Sequence, residues 1–236
     1  MSEAFETRRL ADELYRVGRE PDPWAWIDWA FAGPDGTFGG RWDDVYGRYR
    51  VLYASSQRLG AFVESLAQFR ADPHVVAEYA NIEGVDDDGV LAPGVLPRAW
   101  CSERVITRGV ATEVVGSFVV VGAARTIATL REAFASLVLQ HGLDDLDAAV
   151  IRLSAPRAFT QALSSYFEAQ IDDSGQAYAG IYFLSKHGDD IENWAIFEKE
   201  RMSGQSPIMS VDRETPDPDD DDDLRRALEL LAIRMA

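Results

Sequence analysis

Apolar residues recur at helical spacing in several parts of the chain. Residues 55–70 carry four of them at i, i+3, i+4 and i+7, the spacing of one helix face: Leu59, Phe62, Val63 and Leu66. This spacing predicts a helix over residues 55–70. Similar spacing, with stop signals such as Gly142, predicts further helices over residues 3–17, 124–141, 156–171 and 224–235.

Short apolar runs predict the β-strands. They lie at residues 50–54, 114–121, 148–153, 179–184 and 194–197. The last two runs flank a more polar stretch, residues 185–193, which we predict to be a loop. A chain of 236 residues that is 47% apolar can bury one substantial core. Strands and helices alternate without a repeating βαβ rhythm, so we predict an α+β fold, a mixed α/β arrangement in a single domain.

The end of the chain changes character. Residues 217–223 are aspartate except for one proline, a composition typical of a solvated linker. We therefore predict one domain over residues 1–211, an acidic linker over 212–223 and a C-terminal helix over 224–236. The last aspartates could cap this helix at its positive end. The apolar side of the helix could dock on the domain or on a second copy of the chain, so a homodimer is one expectation.

Charge and cysteine content narrow the expected partners. The formal net charge of −17 repels nucleic-acid phosphates and anionic membranes, and we expect neither as a direct partner. No run of about 18 apolar residues is present to span a membrane. A single cysteine excludes an internal disulfide, and with only three histidines it predicts no structural metal site. The same cysteine usage, with an acidic start that lacks a hydrophobic signal core, predicts a cytoplasmic location.

Common nucleotide-binding and hydrolytic motifs are missing from the sequence. It contains no Gly-x-Gly-x-x-Gly, no P-loop, no His-Glu-x-x-His and no Gly-x-Ser-x-Gly. Any nucleotide site must therefore be built from residues that are far apart along the chain.

Two arginines are candidate ligands for phosphate groups. Arg41 follows Gly39 and Gly40, which allow a tight backbone turn. Its planar guanidinium presents several donors and suits a pyrophosphate. Arg16, near the end of the first predicted helix, is the second candidate. Taken alone, each is more simply explained as a surface or ion-paired side chain.

Four other side chains could take part in chemistry. Tyr53 ends a predicted strand and could stack on a nicotinamide or adenine ring, although core packing is the simpler explanation. Glu64 could stabilise positive charge on a ribose, as in glycoside hydrolysis, or be an exposed helical carboxylate. Ser185 could bind a carboxamide or phosphate, or simply form a turn. His187 titrates near neutral pH and is a candidate for a supporting role.

The order of these residues resembles the RES domain family. The matching blocks cover roughly residues 14 to 198: Tyr15-Arg16-Val17, Gly39-Gly40-Arg41-Trp42, Leu52-Tyr53, Glu64, Gly180-Ile181, Ser185 through Gly188, and residues 193–197. No block is specific alone, but the ordered set is. Three features depart from the family pattern: Asp43 stands where the family often has asparagine, the segment between Glu64 and Ser185 is long, and the acidic tail is extra.

The resemblance implies a fold like that of the ADP-ribosyltransferases and an enzyme that consumes NAD as substrate, with no prosthetic group. It implies a glycohydrolase or phosphorylase that cleaves the nicotinamide–ribose bond, acting as the toxin of a toxin–antitoxin pair with an Xre-type antitoxin partner. By this likeness Arg16 and Arg41 would hold phosphates, Tyr53 would stack, Glu64 would serve the ribose, and Ser185 would be the signature serine. The alternatives are a protein ADP-ribosyltransferase and a non-catalytic module that binds a nucleotide or a protein.

Overall fold

The computed structural model describes residues 5–72, 74, 93–113, 116–152, 156–199 and 205–236. Eight strands form one sheet, and their bounds are β1 Thr7–Arg9, β2 Leu14–Gly18, β3 Val51–Ser55, β5 Val105–Ala111, β6 Ser117–Val120, β7 Gly180–Ser185, β8 Gly188–Phe197 and β9 Ile208–Glu214. Their order across the sheet is β1-β6-β7-β8-β3-β2-β5-β9. Neighbouring strands are antiparallel except β6 and β7, which are parallel. Two further strands, β4 Val95–Leu96 and β10 Arg234–Met235, form a separate parallel pair.

Helices accompany this sheet, and the predicted mixed α/β class is confirmed. Their bounds are α1 Arg58–Leu66, α2 Arg98–Ser102, α3 Ala124–Gln140, α4 Ala148–Arg152, α5 Arg157–Glu168 and α6 Asp222–Leu231. The predictions for α1, α3 and α5 are confirmed within a few residues at each end. The predicted strand at 114–121 begins outside the described residues, and β6 occupies its later part. In the described part of the chain, no helix has the length and apolarity to cross a membrane.

The two faces of the sheet are covered by separate sets of apolar side chains. Ile181 and Phe183 of β7 belong to a core cluster that includes α3 and α5. Tyr182 lies between them and packs against Trp194 in a second cluster. Successive side chains of a strand point to opposite faces, so these two clusters lie on opposite sides of β7.

A third core cluster joins α1 to the C-terminal helix α6. The apolar side chains of α6 are buried against α1, as its pattern predicted, and the contacting residues are Phe62, Leu66, Leu224, Leu228 and Leu231. The helix docks on its own domain, which is one of the two predicted alternatives. Arg58 of α1 forms an ion pair with Asp221 at 2.5 Å, and the Asp221 carboxylate also accepts a hydrogen bond from the backbone N–H of Leu224. This carboxylate is therefore the N-cap of α6.

The chain end differs from the predicted linker and helix. Residues 212–214 belong to β9, and α6 begins at Asp222 rather than at 224. The helix stops at Leu231 because Ala232 adopts the left-handed conformation, with φ of 53°. Strand β10 follows and pairs with β4.

Three other predictions were wrong. The helix predicted over 3–17 is replaced in the described residues by β1 and β2, because its apolar pattern was weak and both strands find partners from distant parts of the chain. The strand predicted over 148–153 is helix α4 up to Arg152, and the last residue of that range lies outside the described residues. The start of α4 is capped by the Asp147 carboxylate, which accepts from the N–H of Val150 at 2.8 Å. The loop predicted over 185–193 is a tight turn at residues 186–187 followed by β8.

Gly180 provides a test of the central sheet. A methyl group there would lie 2.0 Å from the carbonyl oxygen of Ala195 and 2.8 Å from the Phe118 ring. We expect Gly180→Ala to lower the free energy of unfolding by about 2 kcal/mol or more, because the clash is with backbone. Gly122→Ala is the matched control, since nothing lies within 4 Å of its added carbon. Urea denaturation should separate the two variants, and equal stability would contradict the strand pairing.

Candidate functional site

A cleft of about 430 Å³ lies between α1, the start of α5, the turn between β7 and β8, and the segment around Gly40. Four of the five site residues predicted from sequence line this cleft: Arg16, Arg41, Tyr53 and Glu64. Ser185, the fifth, is not among the lining residues. The fold therefore brings together side chains from four separate segments of the chain.

Tyr53 holds the turn that carries Arg41. Its hydroxyl donates to the Asp43 carboxylate at 2.9 Å and accepts from the backbone N–H of Trp42 at 2.8 Å. The other oxygen of the Asp43 carboxylate accepts from the N–H of Gly40. A side chain at Gly40 would collide with Asp43 and with the Tyr53 hydroxyl, so only glycine fits there. The Tyr53 hydroxyl is thus a structural support of the turn.

Asp43 has the same structural role. Its side chain is buried, with the residue 6% exposed, and both oxygens are used inside the turn. Burial raises the pKa of Asp43, and the hydrogen bonds from Gly40 and Tyr53 oppose that shift. Asp43, which stands where the family often has asparagine, therefore keeps both of its oxygens bonded inside the turn.

Arg16 lies beneath the same tyrosine. Its guanidinium donates to the carbonyl oxygens of Tyr53 at 2.7 Å and Pro23 at 2.9 Å. Burial lowers the pKa of Arg16 to about 10, so the side chain remains charged at neutral pH. No carboxylate of the described residues forms an ion pair with it. Arg16 is partly buried, and a cation whose hydrogen-bond partners are neutral carbonyls favours an anion beside it.

Other cations face the cleft with Arg41. Arg157 is the first residue of α5, and Lys186 lies in the turn between β7 and β8. Burial lowers the pKa of Lys186, and repulsion from Arg41 and Arg157 adds to the shift. Burial also lowers the pKa of Arg41, while Glu64 opposes that change. The cleft is therefore a positively charged region on a chain whose net charge is −17.

Glu64 is the acidic side chain among the cleft-lining residues. It is exposed to the cleft on the flank of α1, and its Oε1 accepts a hydrogen bond from Asn193 Nδ2 at 3.0 Å. Asn193 lies on β8 between β3 and β7, which both pair with it. One oxygen of the carboxylate is therefore fixed by the sheet.

Ser185 supports the site from behind. It is 1% exposed, and its hydroxyl accepts a hydrogen bond from the backbone N–H of His187 at 3.0 Å. This bond fixes the turn that presents Lys186 and His187 to the cleft. The turn-forming interpretation of Ser185 is the one that its contacts favour.

Sequence reasoning did not identify Arg157 or Asn193 as site residues. A polar Asn193 at the start of the apolar run 193–197 was an available signal, because an unpaired amide is costly in a core. Arg157 follows Pro156 at a helix start, which is common in proteins and gave no specific signal. Their approach to Glu64 and Arg41 depends on how β8 and α5 pack.

The Tyr53 hydroxyl can be tested by removing one atom. We expect Tyr53→Phe to lower the free energy of unfolding by about 1–3 kcal/mol, because the Trp42 N–H and the Asp43 carboxylate lose a partner. Tyr46→Phe is the matched control, since Tyr46 is 71% exposed, and its change should stay within about 0.5 kcal/mol. Thermal and urea melts measure both. A Tyr53→Phe protein as stable as the control would refute the supporting role.

Comparisons with known proteins bear on the family and the fold of this chain. A family model described as the RES domain matches residues 13–218. A chain in the crystal structure of the M. tuberculosis MbcT-MbcA toxin-antitoxin complex is similar in fold, with a TM-score of 0.51 and 11% sequence identity. The match covers 96% of this chain and 92% of that chain. At this identity the likeness is one of fold. A search of curated proteins gave no significant match.

Proposed function

This chain belongs to the RES domain family, and on that premise we propose that it is an enzyme that consumes NAD by cleaving the nicotinamide–ribose bond. The observation that supports this most is the pairing of a single carboxylate with a group of cations inside one cleft. NAD carries a pyrophosphate beside two riboses, so it needs both kinds of group. The cleft volume of about 430 Å³ is within the range of small-molecule sites.

The cations would bind the pyrophosphate. Arg41 and Arg157 line the cleft without a hydrogen bond or ion pair to any described carboxylate, and Arg16 contacts only backbone oxygens. One guanidinium group can donate two parallel hydrogen bonds to the oxygens of a phosphate, and it remains charged throughout the physiological pH range. The local positive charge acts over a few ångströms, whereas the net negative charge of the chain is screened by salt.

Glu64 would stabilise the charge that develops during cleavage. The bond between the ribose C1′ and the pyridinium nitrogen breaks, and both electrons leave with nicotinamide. The ribose carbon then carries positive charge until an oxygen of water or phosphate bonds to it, as in glycoside hydrolysis, and an attacking water releases its extra proton to solvent. A fixed carboxylate lowers the energy of this state, because its charge is already in place before the bond breaks.

The structure leads us to revise two roles that the resemblance implied. The Tyr53 hydroxyl is occupied within the Arg41 turn, and Ser185 lies behind the cleft. We propose that both residues position the groups that contact NAD. Tyr53 holds the turn that carries Arg41 and accepts a hydrogen bond from Arg16, and Ser185 holds the turn that carries Lys186 and His187.

We further propose that this activity is that of a toxin controlled by a protein antitoxin. The support is family membership and the fold likeness to a chain of a toxin–antitoxin complex. The enzyme would act in the cytoplasm, which suits its one free thiol, the buried Cys101. An antitoxin of the Xre type remains the partner that the family resemblance implies, and a homodimer remains a proposal.

Nicotinamide release tests the chemistry. We expect the wild-type protein to release nicotinamide from NAD and Glu64→Ala to lower kcat by about 100-fold or more, because charge stabilisation is lost. Glu132→Ala, which removes an exposed carboxylate on α3, is the control and should keep full activity. Each protein is first shown to be folded by its thermal melt.

The acceptor follows from the same assay run with and without phosphate. A phosphate requirement identifies phosphorolysis, and release without phosphate identifies hydrolysis. No release from folded wild type in either condition would overturn the proposal. Transfer of label from NAD to protein would then favour an ADP-ribosyltransferase, and NAD binding without turnover would favour a binding module.

Arg157 tests the proposed pyrophosphate site. We expect Arg157→Ala to raise the KM for NAD by about 10- to 100-fold with a smaller change in kcat, because a charge-assisted hydrogen bond to phosphate is lost. Arg226→Ala, on the exposed side of α6, removes the same charge outside the cleft and should leave the KM unchanged. Initial rates over a range of NAD concentrations measure both. Equal KM values for the two variants would place the pyrophosphate elsewhere.

A further inference from the structure

Two residues that line the cleft each carry a buried polar atom without a hydrogen-bond partner. Among the described residues, three buried side-chain atoms lack a partner, and two of them, His187 Nε2 and Asn193 Oδ1, belong to residues that line this one cleft. A buried polar atom without a partner costs about 1–3 kcal/mol. Two such atoms at one site indicate groups that a ligand completes.

The orientation of the Asn193 amide is fixed by its neighbour. A carboxylate can only accept hydrogen bonds, so the amide nitrogen of Asn193 must be the atom that faces Glu64 at 3.0 Å. The amide oxygen is therefore the atom left over, and it is an acceptor. Asn193 is 2% exposed, and its backbone is paired with Ser55 and Phe183 on the two neighbouring strands. The free acceptor is held in a rigid part of the sheet.

His187 is held at the adjacent turn. Its backbone N–H donates to Ser185, which fixes the turn, and Nε2 of its ring is the atom without a partner. Burial lowers the pKa of His187; Glu64 opposes this shift, while Lys186, Arg70 and Arg41 add to it. Burial therefore favours the neutral ring, which has one N–H to donate and one nitrogen to accept.

We propose that these two side chains bind the carboxamide of nicotinamide, with Asn193 Oδ1 accepting from its NH₂ group and His187 Nε2 donating to its carbonyl oxygen. A primary carboxamide carries a donor and an acceptor on neighbouring atoms, which matches one free acceptor and one imidazole nitrogen. Asn193 also bonds Glu64, so the pyridine ring and the ribose carbon would be held by connected groups. This assignment rests on the proposed function and names the part of the site that selects the pyridine.

A substrate analogue separates the two hydrogen bonds. The 3-acetylpyridine analogue of NAD keeps the carbonyl oxygen and replaces NH₂ by a methyl group. We expect Asn193→Ala to lower kcat/KM about 10-fold more for NAD than for the analogue, because only NAD can donate to Oδ1. We expect His187→Phe to lower kcat/KM for both substrates by a similar factor, because both keep the carbonyl. Each comparison is made within one substrate, so differences in leaving-group ability cancel.

Glu64→Gln is the matched control for an indirect effect. It should slow both substrates by the same factor, because it acts on the ribose. If Asn193 served only to position Glu64, Asn193→Ala would also slow both equally, and that result would overturn the carboxamide assignment. Asn193→Ser is the second variant should the alanine protein melt early.

A measurement on the wild-type protein needs no variant. Free nicotinamide should inhibit NAD cleavage at about 10-fold lower concentration than 3-acetylpyridine, and equal inhibition would overturn the assignment. If the protein releases neither nicotinamide from NAD nor 3-acetylpyridine from the analogue, the proposed function is overturned, and the carboxamide assignment with it. Release with equal losses in the Asn193 variants would overturn the assignment alone.

Discussion

The hydrogen bonds of Tyr53 connect strand β3 to two of the cations in the candidate site. Its hydroxyl joins strand β3 to the turn that presents Arg41, and its backbone carbonyl accepts from Arg16. One residue therefore sets the positions of two cations that come from separate segments of the chain. Gly40 and Asp43 fit this arrangement, because the first leaves room for the hydroxyl and the second accepts from it. Because both cations are already held in place, binding an anion costs little further conformational entropy of their side chains.

The chain as a whole is negatively charged, whereas the cleft is lined mainly by cations among its charged residues. The chain carries a net charge of −17, yet the cleft brings several cations around Glu64. A long-range negative field disfavours polyanions such as nucleic acids, while cations grouped in a cleft act strongly on an anion that lies a few ångströms away. Arg16 shows the cost of this arrangement, since burial lowers its pKa while neutral carbonyls are its hydrogen-bond partners. A small dianion such as a pyrophosphate would offset that cost.

Hydrogen bonding distinguishes the network that supports the cleft from the side chains that line it. The turn beneath Arg41 satisfies both oxygens of Asp43, whereas His187 and Asn193 each keep an unpaired atom at the cleft. Stability favours pairing every buried polar group, so unpaired atoms on cleft-lining residues are consistent with the ligand contacts that we propose. Ser185 belongs to the first group, because it fixes the turn that carries His187.

The sequence alone determined the features that depend on local pattern. Apolar spacing predicted α1, α3 and α5, and the ordered blocks predicted the family and the placing of Arg41 and Glu64 in one site. Only the tertiary structure decided the rest. Strand β2 forms because strands from distant segments pair on both its sides, and Asn193 reaches Glu64 because the register of β8 places it there. Helical spacing is a property of neighbouring residues, whereas strand pairing and the meeting of residues more than 100 positions apart depend on how the whole sheet is assembled.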